Sequence, residues 1–316
     1  MKTIGFVGVG SIGLPMAKRL LGAGYPLVFA SSRERACEEL EALGGRAVPT
    51  PPLVAEACEV FMTALPSDRA LSEVYLGPGS VLEHLRPGSI VVDFSTASPM
   101  TLQRVDTEAR GRDIRVIDAP VSGGIAGAEQ GTLTIMAGGE PDVVEEILPI
   151  FETLGERVFI VGDVGMGKVF KIINNLLTGA TYVLVGEALS LAACAGADLD
   201  LLHEVIAVSS GASRAWGDAV PKLVHRADAE PASFRLELMR KDLRLAAGLG
   251  EDLATPTPLT SLALQFYTAA VSRGLGRQDA YTVARLVADL ARANLTATAE
   301  EPGAPEHGSD LAAGDE

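Results

Sequence analysis

The segment Gly165-Met-Gly-Lys-Val-Phe-Lys171-Ile-Ile-Asn174-Asn175 opens a long stretch, Val169–Ala195, made mostly of Ile, Leu, Val and Ala. At about 100° per residue, Lys171, Asn174, Asn175, Thr178 and Tyr182 share one helical stripe. The other faces are apolar, which predicts a helix that is buried all round. An ammonium taken out of water is costly unless something satisfies it. A polar stripe headed by a lysine is therefore a candidate site rather than a solvated surface. Burial would also lower the amine's pKa from about 10.4 toward neutrality, which suits proton transfer.

A second chemistry sits at the start of the chain. Thr3-Ile-Gly-Phe-Val-Gly8-Val-Gly10-Ser11-Ile12-Gly13 is a β-branched run, a G-x-G-x-x-G turn and then an apolar-periodic helix. Gly8 permits the tight turn, Gly10 lets a diphosphate approach the backbone, and Gly13 lets the helix pack on the sheet. The helix start at Ser11 and Ile12 offers free N–H groups and a partial positive charge to phosphate. Dinucleotide binding is the expectation. An NAD-selective domain usually ends its second strand with an acid for the ribose 2′-hydroxyl. Here the chain reads Ala30-Ser31-Ser32-Arg33, with no acid before Glu34. Two hydroxyls and an arginine suit a 2′-phosphate better, so NADP is preferred over NAD; the competing reading is a solvated Arg33 at a helix start.

A further glycine-rich run, Asp118 to Gly139, follows a strand and contains Ser122-Gly123-Gly124. A serine followed by two flexible glycines can aim a hydroxyl and successive N–H groups at an anion such as a carboxylate. A tight turn with purely geometric glycines fits equally well.

The elements that must position these groups alternate through the first half. Strands are expected at Thr3–Val7, Leu27–Ala30, Ala47–Val48, Val60–Ala64, Ile90–Phe94, Val116–Ala119, Leu133–Ala137 and Val158–Val161. Helices are expected at Ile12–Ala23, Glu34–Leu43, Leu53–Ala57, Pro99–Arg110 and Pro141–Thr153. That order implies an α/β Rossmann-type doubly wound parallel sheet with crossover helices. Past Gly162–Gly165 only helical periodicity is left, at about Lys168–Ala195, Asp200–Ser209, Trp216–Val224, Phe234–Leu249, Leu259–Arg273 and Ala280–Ala293. The expected organisation is a dinucleotide-binding domain over 1–163, an all-α domain over 164–296, and a disordered acidic tail over 297–316.

Bulk properties exclude several classes. The net charge is −15, and six of the acids lie beyond Ala299, so residues 1–299 carry −9. Such a chain lacks the basic patches that nucleic acid requires. Cys37, Cys58 and Cys194 are scattered, which suggests reduced thiols in a cytoplasmic protein, and no metal-ligand spacing is visible. Leu176–Ala195 is long enough to raise a membrane span, but Thr178, Tyr182 and Glu187 and the lack of basic flanks favour a core helix.

Five segments taken in order resemble the β-hydroxyacid dehydrogenase family, which includes 3-hydroxyisobutyrate dehydrogenase and tartronate semialdehyde reductase. They are residues 5–25, 93–99 (DFSTASP), 118–139, 165–175 (GMGKVFKIINN) and 234–246 (FRLELMRKDLRLA). The resemblance implies hydride transfer between a nicotinamide and a short β-hydroxy acid or its semialdehyde, with Lys171 as the catalytic acid and base. It implies that Ser122, Gly123, Gly124 and Asn175 hold the substrate, and that Leu65, Pro66 and Thr96 line the nicotinamide side. It also places Lys241 near cofactor and substrate; by its own context, Arg240-Lys241-Asp242-Leu243-Arg244, an exposed charge run is the commoner explanation. A homodimer or homotetramer is implied as well. Two other readings are an imine reductase, disfavoured because that branch replaces the helix lysine, and a non-catalytic dinucleotide-binding scaffold.

Overall fold

The structure, a computed structural model, describes residues 1–226 and 232–296; the expected acidic tail lies outside the described residues. Among the described residues nine strands form one sheet: β1 Ile4–Val7, β2 Leu27–Ala30, β3 Arg46–Ala47, β4 Val60–Thr63, β5 Ile90–Asp93, β6 Arg115–Asp118, β7 Val121–Ser122, β8 Leu133–Gly138 and β9 Gly155–Gly162. Their spatial order is β3-β2-β1-β4-β5-β6-β8-β7, with β9 also paired to β8. From β3 through β6 every pairing is parallel. The expected doubly wound parallel sheet is present, and at its far side β8 runs antiparallel to β6 and β7. Gly131, at φ 73°, ends the preceding helix in a left-handed turn and sends the chain back.

The helices of this half are α1 Gly13–Gly22, α2 Glu34–Glu41, α3 Pro51–Glu56, α4 Asp68–Leu76, α5 Pro99–Arg110, α6 Gly124–Gln130, α7 Pro141–Glu146 and α8 Leu148–Leu154. Strands β1, β4 and β5 are buried along their whole length, as a parallel sheet covered on both faces must be. Side-chain alternation divides the core: Phe6, Phe29, Met62 and Val92 pack on one face, and Phe61, Tyr75, Val91 and Leu102 on the other. The single helix expected over Pro141–Thr153 is two. Pro149 has no N–H for the carbonyl four residues back, and the helix breaks at Ile147. Helix α4 was not expected, although Ser67 Oγ accepts the N–H of Ala70 at 3.2 Å as an ordinary N-cap.

After β9 the chain is helical: α9 Met166–Cys194, α10 Leu199–Ala207, α11 Arg214–Val224, α12 Leu236–Asp252, α13 Pro258–Ser272 and α14 Val283–Ala291. Helix α9 is the axis on which the others pack. Gly179 lets it approach α12, where an added Cβ would lie 2.9 Å from Met239 Sδ. Gly186 does the same for α14, where a Cβ would lie 2.8 Å from Ala284 Cα. The expectation that α9 is buried all round is wrong. Phe170, Ile173, Leu177, Leu184 and Leu191 are 47–73% exposed along one flank. An apolar composition on every face does not say which faces the same chain covers.

The α9–α14 contact yields a stability prediction. Gly186→Ala should destabilise the protein by about 1–3 kcal/mol despite the better helix propensity of alanine, because the neighbouring backbone must move. Gly248→Ala on α12, where an added Cβ meets nothing within 4 Å, should be neutral or stabilising by about 0.4–1 kcal/mol. Urea unfolding of both variants checks the pair.

Candidate active site

The phosphate turn leaves β1 with Gly8 at φ 93°, where a Cβ would lie 2.4 Å from Ala64 O. At Gly13 a Cβ would lie 2.2 Å from Gly8 O, so α1 starts tight against the turn. Over Gly10 the space is open except for Arg33 Nη1, 3.8 Å from where a Cβ would sit. The Arg33 guanidinium thus overhangs the turn; the backbone N–H of Arg33 donates to Ser31 Oγ at 3.0 Å, and Ser32 is exposed beside it. Gly10, Ser11, Lys18 and Arg33 line one wall of a cavity of about 1190 Å³, and Arg235 and Arg277 line the wall contributed by the helical half. Gly8, Ile12 and Gly13 shape the turn from beneath rather than lining it. An open glycine turn at a helix start, flanked by cations, fits the phosphates of a dinucleotide.

At the start of α9 lies a buried ion pair that the sequence analysis does not anticipate. Lys168 is fully buried, and its Nζ donates to Asp93 Oδ2 (2.5 Å), Asp93 O (3.0 Å) and Ser95 O (2.6 Å). The other carboxylate oxygen of Asp93 accepts from Thr63 Oγ1 and Ser95 Oγ, each at 2.6 Å. Ser95 Oγ in turn accepts the N–H of Leu65 at 2.8 Å. Besides the contact between the two charges, four hydrogen bonds surround the ammonium and the carboxylate, and they make such burial tolerable. The loops holding Leu65-Pro66 and Thr96 are therefore tied to each other and to α9. Thr96 O also accepts from Lys241 Nζ at 2.5 Å, so Lys241 is a bridge from α12 to the sheet rather than part of a solvated charge run.

The start of α9 is held by a second carboxylate. Asp118, at the end of β6, accepts the N–H of Gly165 (2.8 Å) and of Lys168 (2.7 Å). Glycines at 138 and 167 leave it room; a Cβ at either would lie 2.4 or 2.7 Å from its oxygens. Burial pushes the Asp118 carboxyl up to about 6, against the opposing pull of Lys168 and of the two N–H groups.

One turn along α9, Lys171 and Asn175 are both buried. Asn175 Nδ2 donates to Asp242 Oδ2 at 2.6 Å, and Lys241 Nζ lies 2.9 Å from Asp242 Oδ1. Lys171 Nζ makes no hydrogen bond or ion pair with the described residues. Burial lowers its amine to about 8, with the Asp242 carboxylate pulling the other way and Lys241 adding to the fall. Asn174 leans on its neighbour, its Nδ2 donating to Asn175 Oδ1 at 3.0 Å. Ser122 sits in the short β7 pairing with Thr134. Gly123 and Gly124 follow at φ 135° and 65°, conformations that favour glycine. Lys171, Asn175 and the Ser122–Gly124 loop do not line the large cavity, although Ile125, next to Gly124, does. Asp93 and Asp118 were findable, since both end adjacent parallel strands, where sites of doubly wound sheets gather. Lys168 is three residues before Lys171 and so on nearly the same helix face.

A doubly wound sheet with a glycine turn at its first crossover defines a dinucleotide-binding protein. Residues 3–162 match the model of the NAD-binding domain of 6-phosphogluconate dehydrogenase. Residues 165–287 match the model described as NAD-binding of NADP-dependent 3-hydroxyisobutyrate dehydrogenase. The chain is 36% identical to 2-(hydroxymethyl)glutarate dehydrogenase of Eubacterium barkeri, covering 90% of this chain and 94% of that protein. It is 35% identical to NAD-dependent L-serine dehydrogenase of Pseudomonas aeruginosa, covering 90% and 98%. The structure of Mycobacterium tuberculosis 3-hydroxyisobutyrate dehydrogenase with L-serine superposes with a TM-score of 0.83 at 27% identity, over 91% of this chain and 99% of that one. The chain belongs to the β-hydroxyacid dehydrogenase family. It is an NAD(P)-dependent hydroxyacid dehydrogenase.

Removing one partner of the Asp93–Lys168 pair strands a buried charge. Lys168→Met should cost about 3–5 kcal/mol in chemical unfolding, whereas Lys168→Met combined with Asp93→Asn should recover much of that loss. Equal losses in the single and double variants would contradict the pairing.

Proposed function

We propose that this enzyme oxidises a short β-hydroxy acid, or reduces its semialdehyde, with Lys171 carrying the proton. The observation that bears most weight is a buried lysine free of partners among the described residues, with its amine lowered to about 8. Such a group can exchange a proton near neutral pH. Bound nicotinamide supplies the hydride acceptor or donor. As the alcohol C–H bond gives up its hydride, the hydroxyl proton passes to neutral Lys171; in reduction the Lys171 ammonium returns it to the carbonyl oxygen. While charged, it also stabilises alkoxide character. Asn175, steadied by Asp242, and the N–H groups of Ser122–Gly124 would hold the substrate carboxylate and hydroxyl. The relatives' names specify 2-(hydroxymethyl)glutarate, L-serine and 3-hydroxyisobutyrate. Each is a carboxylate with a hydroxymethyl group on the adjacent carbon, and that is the substrate class assigned here; tartronate semialdehyde and sugar acids belong to the same search.

Two further readings go with this one. The Ser31-Ser32-Arg33 strand end and the overhanging Arg33 favour NADP over NAD. The exposed apolar flank of α9, reaching from Phe170 to Leu191, favours association of copies into a homodimer or homotetramer, since apolar patches of this extent mark interaction surfaces.

Lys171→Met should lower kcat by about 10²- to 10⁴-fold while leaving NADPH binding within a few-fold of the wild type. Unchanged turnover with every active substrate would refute the assignment. The pH dependence has a definite sign: oxidation needs the neutral amine and should rise through pH 8, and reduction needs the ammonium and should fall above it. Both limbs should vanish in Lys171→Met. Steady-state kinetics with each cofactor across C3–C6 hydroxy acids, semialdehydes and a cyclic imine test substrate class and NADP preference together. Sedimentation equilibrium giving a monomer would overturn the oligomer reading.

A further inference from the structure

The wall of the large cavity opposite the glycine turn is a built ledge. Residues 233–236 and 277–280 lie antiparallel and bridge at Arg235 and Asp279. Leu236 N–H donates to Gln278 O, and Ala280 N–H to Phe234 O, both at 2.8 Å. The Asp279 carboxylate locks the corner, accepting the N–H of Ser233 (2.8 Å), the Ser233 hydroxyl (2.5 Å) and the N–H of Phe234 (3.4 Å). Ser233 O is 3.8 Å from where a Cβ on Gly124 would sit, so the ledge abuts the Ser122–Gly124 loop.

The charges on this cavity do not match the chain as a whole. In a protein of net charge −15, its lining carries Lys18, Arg33, Arg35, Arg235 and Arg277 against Glu39, Glu129 and Asp279. Lys18 and Arg35 are both spent on Glu39. Asp279 is spent on the ledge itself, and Arg235 lies 3.2 Å from Glu237. Arg33 on the sheet side and Arg277 on the ledge have no ion pair among the described residues, and they line the same space from opposite halves of the molecule. Against Glu129, the one carboxylate of the lining without a side-chain hydrogen bond or ion pair among the described residues, two such guanidinium groups leave the cavity net positive, which favours an anion, and guanidinium is suited to phosphate.

We propose that Arg277 is a cofactor-phosphate ligand. The helical half then reaches across the cleft and clasps a dinucleotide whose phosphates rest on the Gly10–Ser11 turn and under Arg33. This rests on the placement of the cofactor at that turn, and it extends the site to a residue that no glycine turn marks. The shared chemistry is a phosphate oxyanion, which could come from the diphosphate or from the 2′-phosphate of NADP.

Titration calorimetry of full-length Arg277→Ala with NADPH and with NADH separates these cases. Either NADPH alone weakens by at least about tenfold, which assigns Arg277 to the 2′-phosphate, or both cofactors weaken together, which assigns it to the diphosphate. Arg277→Lys should recover only part of the loss, because it keeps the charge without the fork. Arg273→Ala, outside the cavity lining, should bind as the wild type does. Binding of both cofactors to Arg277→Ala within twofold of the wild type would overturn the proposal. The NADP preference is judged separately on the wild type: equal affinities for NADPH and NADH would end that reading and leave the Arg277 result to stand on either cofactor.

Discussion

The buried pair of Asp93 and Lys168 is the constraint on which the rest of the site depends. It joins the end of a central strand to the first turn of α9, and it does so where neither charge touches water. A surface pair would hold little, because solvent screens it and side-chain entropy opposes it. A fully buried pair is different: breaking it strands a charge, so the arrangement persists as a unit. Through Ser95 and Thr63 that unit extends to the Leu65 loop, and through the Ser95 carbonyl to Thr96. The loops holding Leu65-Pro66 and Thr96 and the helix bearing Lys171 are therefore positioned by one network.

Asp118 performs a complementary task at the same helix end. A helix start attracts anions through its free N–H groups, and here a carboxylate of the chain itself occupies that position. That helix start is therefore not free for a ligand's anion, whereas the nearby Ser122–Gly124 loop carries two glycines at positive φ. The starts of α1 and α9 thus differ. At α1 the N–H groups stay open for a ligand's phosphate, whereas at α9 they are filled from within.

Much of this was legible in the sequence because it depends on local pattern. The glycine turn, the strand–helix alternation and the Lys171 stripe each follow from spacing over a dozen residues. What escaped was set by contacts far apart in the chain. Lys168 reads as one more polar residue until Asp93, 75 positions away, is folded against it. Lys241 reads as part of a charge run until its ammonium meets Thr96 O, 145 positions away. Helix α9 reads as core because composition reports apolarity and not which neighbour supplies the cover. The break at Pro149 and the cap at Ser67 were local signals and could have been read; the antiparallel return of β8 turned on a glycine whose handedness the sequence does not display.

The length of α9 has a mechanical consequence. Twenty-nine residues make a rod about 43 Å long, pinned at one end by Asp93 and Asp118 and carrying the helical half along its shaft. Lys171 lies only about 8 Å from the pin. A swing of about 10° would carry the far tip through about 7 Å but move the lysine's backbone by little more than about 1 Å. Lys171 therefore sits at the sheet end of the shaft, where any tilt of the helical half displaces it far less than it displaces the tip.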